Sequence, residues 1–373
     1  MRYITVYSID LLKKNYSILL GFKLIGAPMK TLYFLIIYFF SINLCFSEQL
    51  FTPHIKDLSM DKRSIALVDT ITGKNRLVEI NTDGTVIWSW DFPPEINKSP
   101  RNICRGADIK YIAKDDSFIT IMPHFGAISV KRDGTYNILI KDNEIDHDLH
   151  VFENESILFT RGFVNRGEDN FAIHDKQNKK VWGWNISDHV KDRKPYWGSS
   201  CKRRENVWSK KGDKDWGHAN SLEVLSNGNY LFSFRNLSAF FEVNPSGKII
   251  KEYKGNVGVH VPKVYKDGFI LADRNCTGNK KSNFKEMNSI KILDSNGKVK
   301  KELLKGEHMF TRGIQVLPND RFFITTLSSL IEMDNNGKVY YKSVLKNIDK
   351  NLEKDGLKTR EKMTGFCKWK TVY

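Results

Sequence analysis

RLVEINTDGTVIWSW (76–90), AISVKRDGTYNILI (127–140), FAIHDKQNKKVWGW (171–184), AFFEVNPSGKIIKEY (239–253), SIKILDSNGKVKKEL (289–303) and LIEMDNNGKVYYKSV (330–344) are one pattern written six times. Each runs as β-type sequence on both sides of Asp-Gly, Asn-Gly or a relative, the strongest short-range signal for a β-hairpin. A second strand–turn–strand piece stands between these copies: IKYIAKDDSFITIM (109–122), LHVFENESILFT (149–160), SLEVLSNGNYLFSF (221–234), VPKVYKDGFILA (261–272) and IQVLPNDRFFITT (314–326). SIALVDT (64–70) reads as its damaged first copy. Two hairpins per repeat make a four-stranded sheet. The turn positions Gly84, Gly134, Asn178, Gly247, Gly297 and Gly337 are 50, 44, 69, 50 and 40 residues apart. Four strands every ~40–50 residues is the spacing of β-propeller blades. The expected fold is therefore all-β, a six-bladed β-propeller over 48–345, closed by an N-terminal strand that joins the last sheet. Seven blades or a split sheet is the alternative.

Composition agrees with a folded β chain. Of 373 residues 40% are apolar and 12% aromatic, enough to fill a core and against wholesale disorder. Gly and Pro number 25 and 10, too few for a collagen-like or low-complexity chain. The five cysteines are too few for a disulfide scaffold.

The one long apolar run is TLYFLIIYFFSINLCF (31–46), preceded by Lys30 and ending on Cys45-Phe46-Ser47. A charged start, an apolar stretch and a small-x-small end read as a secretory signal over 1–47. The stretch is short for a membrane helix, which needs ~20 apolar residues. Met29 makes 1–28 an over-called start in this reading; an uncleaved anchor is the rival. The expected location is periplasmic or secreted, with no stable membrane insertion after cleavage. Cys104, Cys201, Cys276 and Cys367 then face an oxidising compartment, where one or two disulfides are plausible.

Lys and Arg outnumber Asp and Glu by 59 to 43. The leader holds five of the basic residues and one acidic residue, so the rest keeps an excess of +12. A solvated Lys-rich surface is the plain reading; a field that draws anions into a site is the sharper one. Nucleic acid fits poorly, because no basic run interleaves with aromatics as a strand-binding groove would.

The 69-residue gap holds an insertion at 183–216, with Trp184, Trp197, Trp208 and Trp216 among Lys and Arg. It is either a surface loop pinned by its aromatics or a lid over one channel mouth. Residues 346–373 form a basic C-terminal segment, partly helical or extended.

Candidate site residues emerge from the repeat register. Counting back eight from the inner turn residues Asp116, Glu155, Gly228, Gly268 and Asp320 reaches Asp108, His147, Asn220, His260 and Arg312. Innermost propeller strands run along the axis, so equivalent positions form a ring. His218 stands two residues before Asn220 and shares its face in an ideal strand. Arg235 closes the same hairpin and returns to the mouth. One His before a strand is an ordinary turn residue; several at one register make a donor-rich cup with few carboxylates. Such a cup suits an oxyanion. His147, His218 and His260 could instead supply three zinc ligands, although no HExxH or CxxC accompanies them. Phosphate-loop and GxSxG motifs are absent.

DWGHANSLEVLSNGNYLFSFRN (215–236) closely resembles the signature tract of bacterial arylsulfotransferases. DHDLHVFENESILF (146–159), VHVPKVYKDGFILADRN (259–275), RGIQVLPNDRFFIT (312–325) and LIEMDNNGKVYY (330–341) resemble further tracts of that family, in order over roughly 60–345. The resemblance implies an exported six-bladed propeller that is a sulfotransferase. It implies a cofactor-free, two-step transfer of a sulfuryl group from an aryl sulfate to a phenol. His260 matches the nucleophile that becomes transiently sulfated. His218, Asn220 and Arg235 match the groups holding the sulfuryl oxygens, and His147 matches the His before Asp in the earlier blade; His218 and His147 would serve as general acid–base or as extra donors. Arg312 joins the substrate-binding set from the ring. The partners implied are small molecules, an aryl sulfate and a phenol; the oligomeric state is open, a homodimer included. The chain departs from the pattern at Asp146, where the family's His-His-Asp tract has its first His. The stretch before residue 60 also leaves no room for the extra N-terminal β-domain that some members carry. Two rival classes remain at this stage: a non-catalytic periplasmic propeller holding an anionic ligand or partner protein, and a metal-dependent hydrolase or lyase.

Overall fold

The computed structural model describes residues 48–56, 64–69, 75–96, 108–122, 125–162, 164–190, 216–255, 258–274, 288–305, 311–326, 329–345 and 370–372. The leader 1–47, all five cysteines and the insertion over 191–215 lie outside the described residues.

The first strands are β1 (Phe51–Lys56), β2 (Ser64–Asp69), β3 (Arg76–Asn81) and β4 (Val86–Asp91). Blade 2 is β5 (Ile109–Ile112), β6 (Ser117–Met122), β7 (Gly126–Lys131) and β8 (Tyr136–Ile140). Blade 3 is β9 (Asp146–Val151), β10 (Ile157–Thr160), β11 (Phe171–His174) and β12 (Lys180–Trp184). Blade 4 is β13 (Ala219–Val224), β14 (Tyr230–Phe234), β15 (Ala239–Val243) and β16 (Ile249–Lys254). Blade 5 is β17 (His260–Tyr265), β18 (Gly268–Arg274), β19 (Asn288–Leu293) and β20 (Val299–Leu303). Blade 6 is β21 (Gly313–Leu317), β22 (Arg321–Thr325), β23 (Ser329–Asp334) and β24 (Val339–Leu345), and β25 is Lys370–Val372.

These form six antiparallel sheets in a six-bladed β-propeller. The innermost strands make the hub: β9 lies beside β13, β13 beside β17, β17 beside β21, β21 beside β25, and β25 beside β5. β1 pairs with β24 as the outermost, fifth strand of blade 6, from Phe51↔Leu345 to Lys56↔Tyr341, as expected of the N-terminal strand. Blade 1 differs from its reading. SIALVDT was read as an inner hairpin copy, but β2 is a single strand lying between β3 and β25. The missing inner strand comes from Lys370–Val372, within the segment that sequence placed after the propeller.

The six outer turns take the expected form. Gly84, Gly134, Asn178, Gly247, Gly297 and Gly337 all have positive φ, between 62° and 90°. In five of these turns an Asn or Asp at the turn's start accepts a backbone N–H four residues on, as Asn81 does from Thr85 at 3.0 Å and Asp294 from Lys298 at 2.9 Å. Side-chain acceptors of this kind fix the chain reversal locally. The inner turn of blade 5 was aligned on Gly268, but the reversal falls at Lys266, φ 54°. Gly268 instead begins β18, where a Cβ would meet the Leu293 carbonyl at 2.1 Å.

Middle strands are buried on both faces, as in β6, β10 and β14, while β4 alternates half-buried and exposed. Their side chains fill the seams between neighbouring blades. Phe171 of blade 3 stacks on Phe232 of blade 4, with centroids 3.7 Å apart and planes 8° apart. Each fully buried Phe contributes about 1.5–3 kcal/mol by transfer alone. Indole N–H groups latch blades together at the rim. Trp90 donates to Gly134 O at 3.0 Å, and Trp184 to Gly247 O at 2.8 Å.

Candidate active site

The site lies where the inner strands begin. Asp108, His218 and Arg312 immediately precede β5, β13 and β21, while His147 and His260 open β9 and β17. In blades 3, 4 and 5 the ladder slips at this point: between Phe159 and Thr160 opposite β9, between Ala219 and Ser221, and between His260 and Lys263. A β-bulge re-aims the side chains beside it. Pro262, which has no N–H to give, falls inside the third of these bulges, where it costs the ladder nothing.

His147 (φ 60°) and His218 (φ 50°) are both left-handed. Their rings meet edge to face, with centroids 5.0 Å apart and planes at 83°. Register alone levels His147 with Asn220; the structure sets it against His218. Arg235, half-buried, is tied to the same spot, because its N–H donates to His218 O at 3.1 Å. The Arg235 guanidinium reaches Asn236 Oδ1 from Nε at 3.2 Å.

His260 is 6% exposed, and its Nδ1 lies 2.7 Å from Gly258 O. A carbonyl only accepts, so Nδ1 carries the proton and Nε2 is the basic nitrogen of the neutral ring. The turn holding that carbonyl is clamped by blade 4. Ser238 Oγ accepts Gly258 N–H at 3.1 Å, and Asn220 Nδ2 donates to Val259 O at 2.9 Å.

Asn220, expected as a sulfuryl-oxygen donor, also braces the turn before His260 through Val259 O. Its bulge turns the carboxamide into the seam between blades 4 and 5, where Oδ1 also accepts from Ser233 Oγ and the residue is fully buried. Arg312 is half-buried before β21, its N–H on Thr325 O at 2.7 Å. Asp108 is buried, with Oδ2 3.2 Å from Lys110 Nζ.

Sequence reading found few carboxylates; the structure brings in more. Asp148 is buried below the histidines, 3.2 Å from Lys110 Nζ and 3.9 Å from Lys263 Nζ, and accepts Leu222 N–H at 3.2 Å. It links blades 2, 3, 4 and 5. A cavity of about 230 Å³ opens among Lys110, Asp148, Glu223, Lys263 and Gln315. Asp146 Oδ2 lies 2.9 Å from His147 Nδ1. The count-back rule passed over these acids because it sampled one register position per blade. The visible signal was the acidic residue on each side of His147. Gly258, acting through its carbonyl, left no signal in its residue type.

The three histidines share one end of the hub, yet no group of three His, Cys, Asp or Glu among the described residues is arranged to hold a metal ion. The described ends of the 183–216 insertion pack down: His189 stacks on Trp184 at 4.9 Å, and Arg166 lies over Trp216 at 4.9 Å. The lid reading concerns residues outside the described set.

Fold and site define a six-bladed propeller whose hub gathers imidazoles from three neighbouring blades. The fold is similar to that of a protein of unknown function from Bacteroides caccae, at 11% identity over 83% of this chain and 98% of that chain, TM-score 0.51. A streptogramin B lyase structure matches at 10% identity over 80% of this chain and 89% of that one, TM-score 0.46. A virginiamycin B lyase from Staphylococcus aureus matches at 13% identity over 78% and 88%, TM-score 0.45. The first likeness concerns the fold alone. Among curated proteins none matches the chain. Residues 131–251 match the family model of arylsulfotransferase (ASST). That stretch holds His147, His218, Asn220 and Arg235 and ends before His260 and Arg312. The match supports an arylsulfotransferase-like function, that of a sulfotransferase enzyme.

Proposed function

We propose that the protein moves a sulfuryl group from an aryl sulfate to a phenol through a sulfated His260, without a cofactor. The observation that carries this reading is the His260 Nδ1 contact with Gly258 O, 2.7 Å. It fixes Nδ1 as the donor, so that in the neutral ring the lone pair sits on Nε2, the form in which histidine is a nucleophile. The same contact stabilises the positive charge that the ring takes on when Nε2 bonds to sulfur. Imidazole also leaves readily, so one difficult transfer becomes two easier ones.

A transferring SO3 unit, like a phosphoryl group, spreads charge over its equatorial oxygens, and fixed donors aimed there lower the barrier. His218, Arg235 and Arg312 fill that part in this reading. Asn220 acts at one remove, by holding the Val259 carbonyl and with it the turn before His260. The leader-like stretch 31–46 supports a periplasmic or secreted setting.

Incubation with p-nitrophenyl sulfate, with and without a phenol and with and without chelator, tests the reading. Nitrophenol release should need the phenol for sustained turnover and ignore the chelator. Mass spectrometry of donor-treated protein should find an added SO3 on His260. Normal turnover by His260→Ala would overturn the assignment.

A further inference from the structure

Two histidines of the site present Nδ1 to partners of different charge. His260 Nδ1 meets a neutral carbonyl; His147 Nδ1 lies 2.9 Å from Asp146 Oδ2, within ion-pair distance but outside hydrogen-bond geometry. Asp146 stands where the resemblance places a histidine, and its role there was left open. It is 1% exposed, and a buried carboxylate must be compensated by hydrogen bonds or a cation. Its Oδ1 accepts Gly162 N–H at 2.8 Å and lies 3.4 Å from the Thr160 hydroxyl. A Cβ at residue 162 would come within 2.5 Å of the Ala219 carbonyl and within 2.7 and 2.9 Å of the two carboxylate oxygens, so the chain carries glycine there. Oδ1 is satisfied by the neighbouring strand and its turn, while Oδ2 makes no hydrogen bond and sits 2.9 Å from the imidazole Nδ1.

We infer that Asp146 is a positioning residue that makes His147, rather than His218, the general acid–base of the transfer. The inference rests on the sulfuryl-transfer reading above. A carboxylate beside Nδ1 favours the charged imidazolium more strongly than a neutral carbonyl does. Titratable and charged groups around His147 include Asp146 and Asp148 on its own strand, His218 just before β13, and Arg235, whose N–H holds the His218 carbonyl. Lys110 from blade 2 and Lys263 from blade 5 are drawn to Asp148. Two adjoining imidazoles disfavour double protonation, so the proton goes to the ring with the carboxylate.

The steps balance. In the first, His260 Nε2 bonds to sulfur, the sulfur–oxygen bond to the aryl group breaks, and the leaving oxygen takes a proton from His147. In the second, the acceptor phenol gives its proton to His147 while its oxygen bonds to sulfur. The sulfur–Nε2 bond breaks, returning its electron pair to His260.

Histidine NMR titration of the unliganded wild-type protein is the first test. His147 should titrate above His218, and the reverse order overturns the inference. In Asp146→Asn the His147 value should fall by about one unit or more; an unmoved value in the folded variant overturns it too. The same variant should lose about 100-fold in turnover of phenyl sulfate, whose leaving oxygen needs a proton. With p-nitrophenyl sulfate, a far better leaving group, the loss should be small. Equal losses on both donors would mark Asp146 as merely structural. A wild-type protein with the expected titrations and no turnover of any aryl sulfate would sink the sulfotransferase reading and leave the Asp146–His147 pair standing.

Discussion

Blades 3, 4 and 5 and blades 1, 2 and 6 are built from the same repeat, yet their innermost strands begin differently. β5, β21 and β25 pair with their neighbours in unbroken register. β9, β13 and β17 each slip beside a site residue. The bulged half also holds the left-handed residues His147, His218 and Val261, at φ 60°, 50° and 49°. Left-handed backbone costs a non-glycine residue roughly 1–2 kcal/mol, and such strain gathers at functional sites. At their innermost strands blades 3, 4 and 5 accept irregularity beside the site side chains, while those of blades 1, 2 and 6 keep register.

That division can be broken by substitution. The largest effect belongs to His260→Ala in the bulged half, which should abolish both the sulfated intermediate and turnover while the protein remains folded by circular dichroism. Next comes Phe118→Ala, a fully buried ring in the seam between blades 1 and 2. It should lower stability by about 3–5 kcal/mol in denaturant unfolding, with activity per folded molecule unchanged. Lost activity there would mean that the regular half also tunes the chemistry. Arg235→Ala should cost about 2.7–4 kcal/mol of transition-state stabilisation, two to three decades in kcat/KM, with unfolding little altered. Asn220→Ala should behave as a hybrid. It leaves Val259 O and the Ser233 hydroxyl without this partner, a stability loss of about 1–3 kcal/mol, and it loosens the turn before His260. A variant of wild-type stability would deny Asn220 its role as a strut.

The smallest effect sits in an outer turn of the regular half. The Thr135 hydroxyl, then the Thr135 N–H, hold the Asp133 carboxyl below its usual pKa. A depressed carboxyl adds stability above its unfolded-state pKa and loses it as pH falls through the folded value. Thr135→Ala should move the Asp133 titration back up in carboxyl NMR and blunt that acid-side loss, leaving transfer untouched. An unmoved Asp133 would count against the turn contact.

Most of the fold was legible because turn chemistry is local. A Gly or Asn where the backbone must be left-handed announces each outer hairpin, and repetition supplies the blade count. Blade 1 was misread because its inner strand lies far away in sequence and its pairing is set by backbone alone. The site was legible as a list of residues more than as an arrangement. Counting assumed straight strands, and a single bulge turns Asn220 into a seam and sets His147 against His218. Asp146 looked like a departure from a pattern until its distance from His147 was known.

The two closures have a consequence for biosynthesis. The β1 ladder forms only once β24 exists, and β2 keeps an open inner edge until Lys370–Val372 arrives. Joining points so distant along the polypeptide carries a loop-closure cost and slows folding. A nascent chain on the ribosome would thus carry blades 2 to 5 as locally paired hairpins while the ring stayed unlocked. Lys370–Val372 act as the clasp.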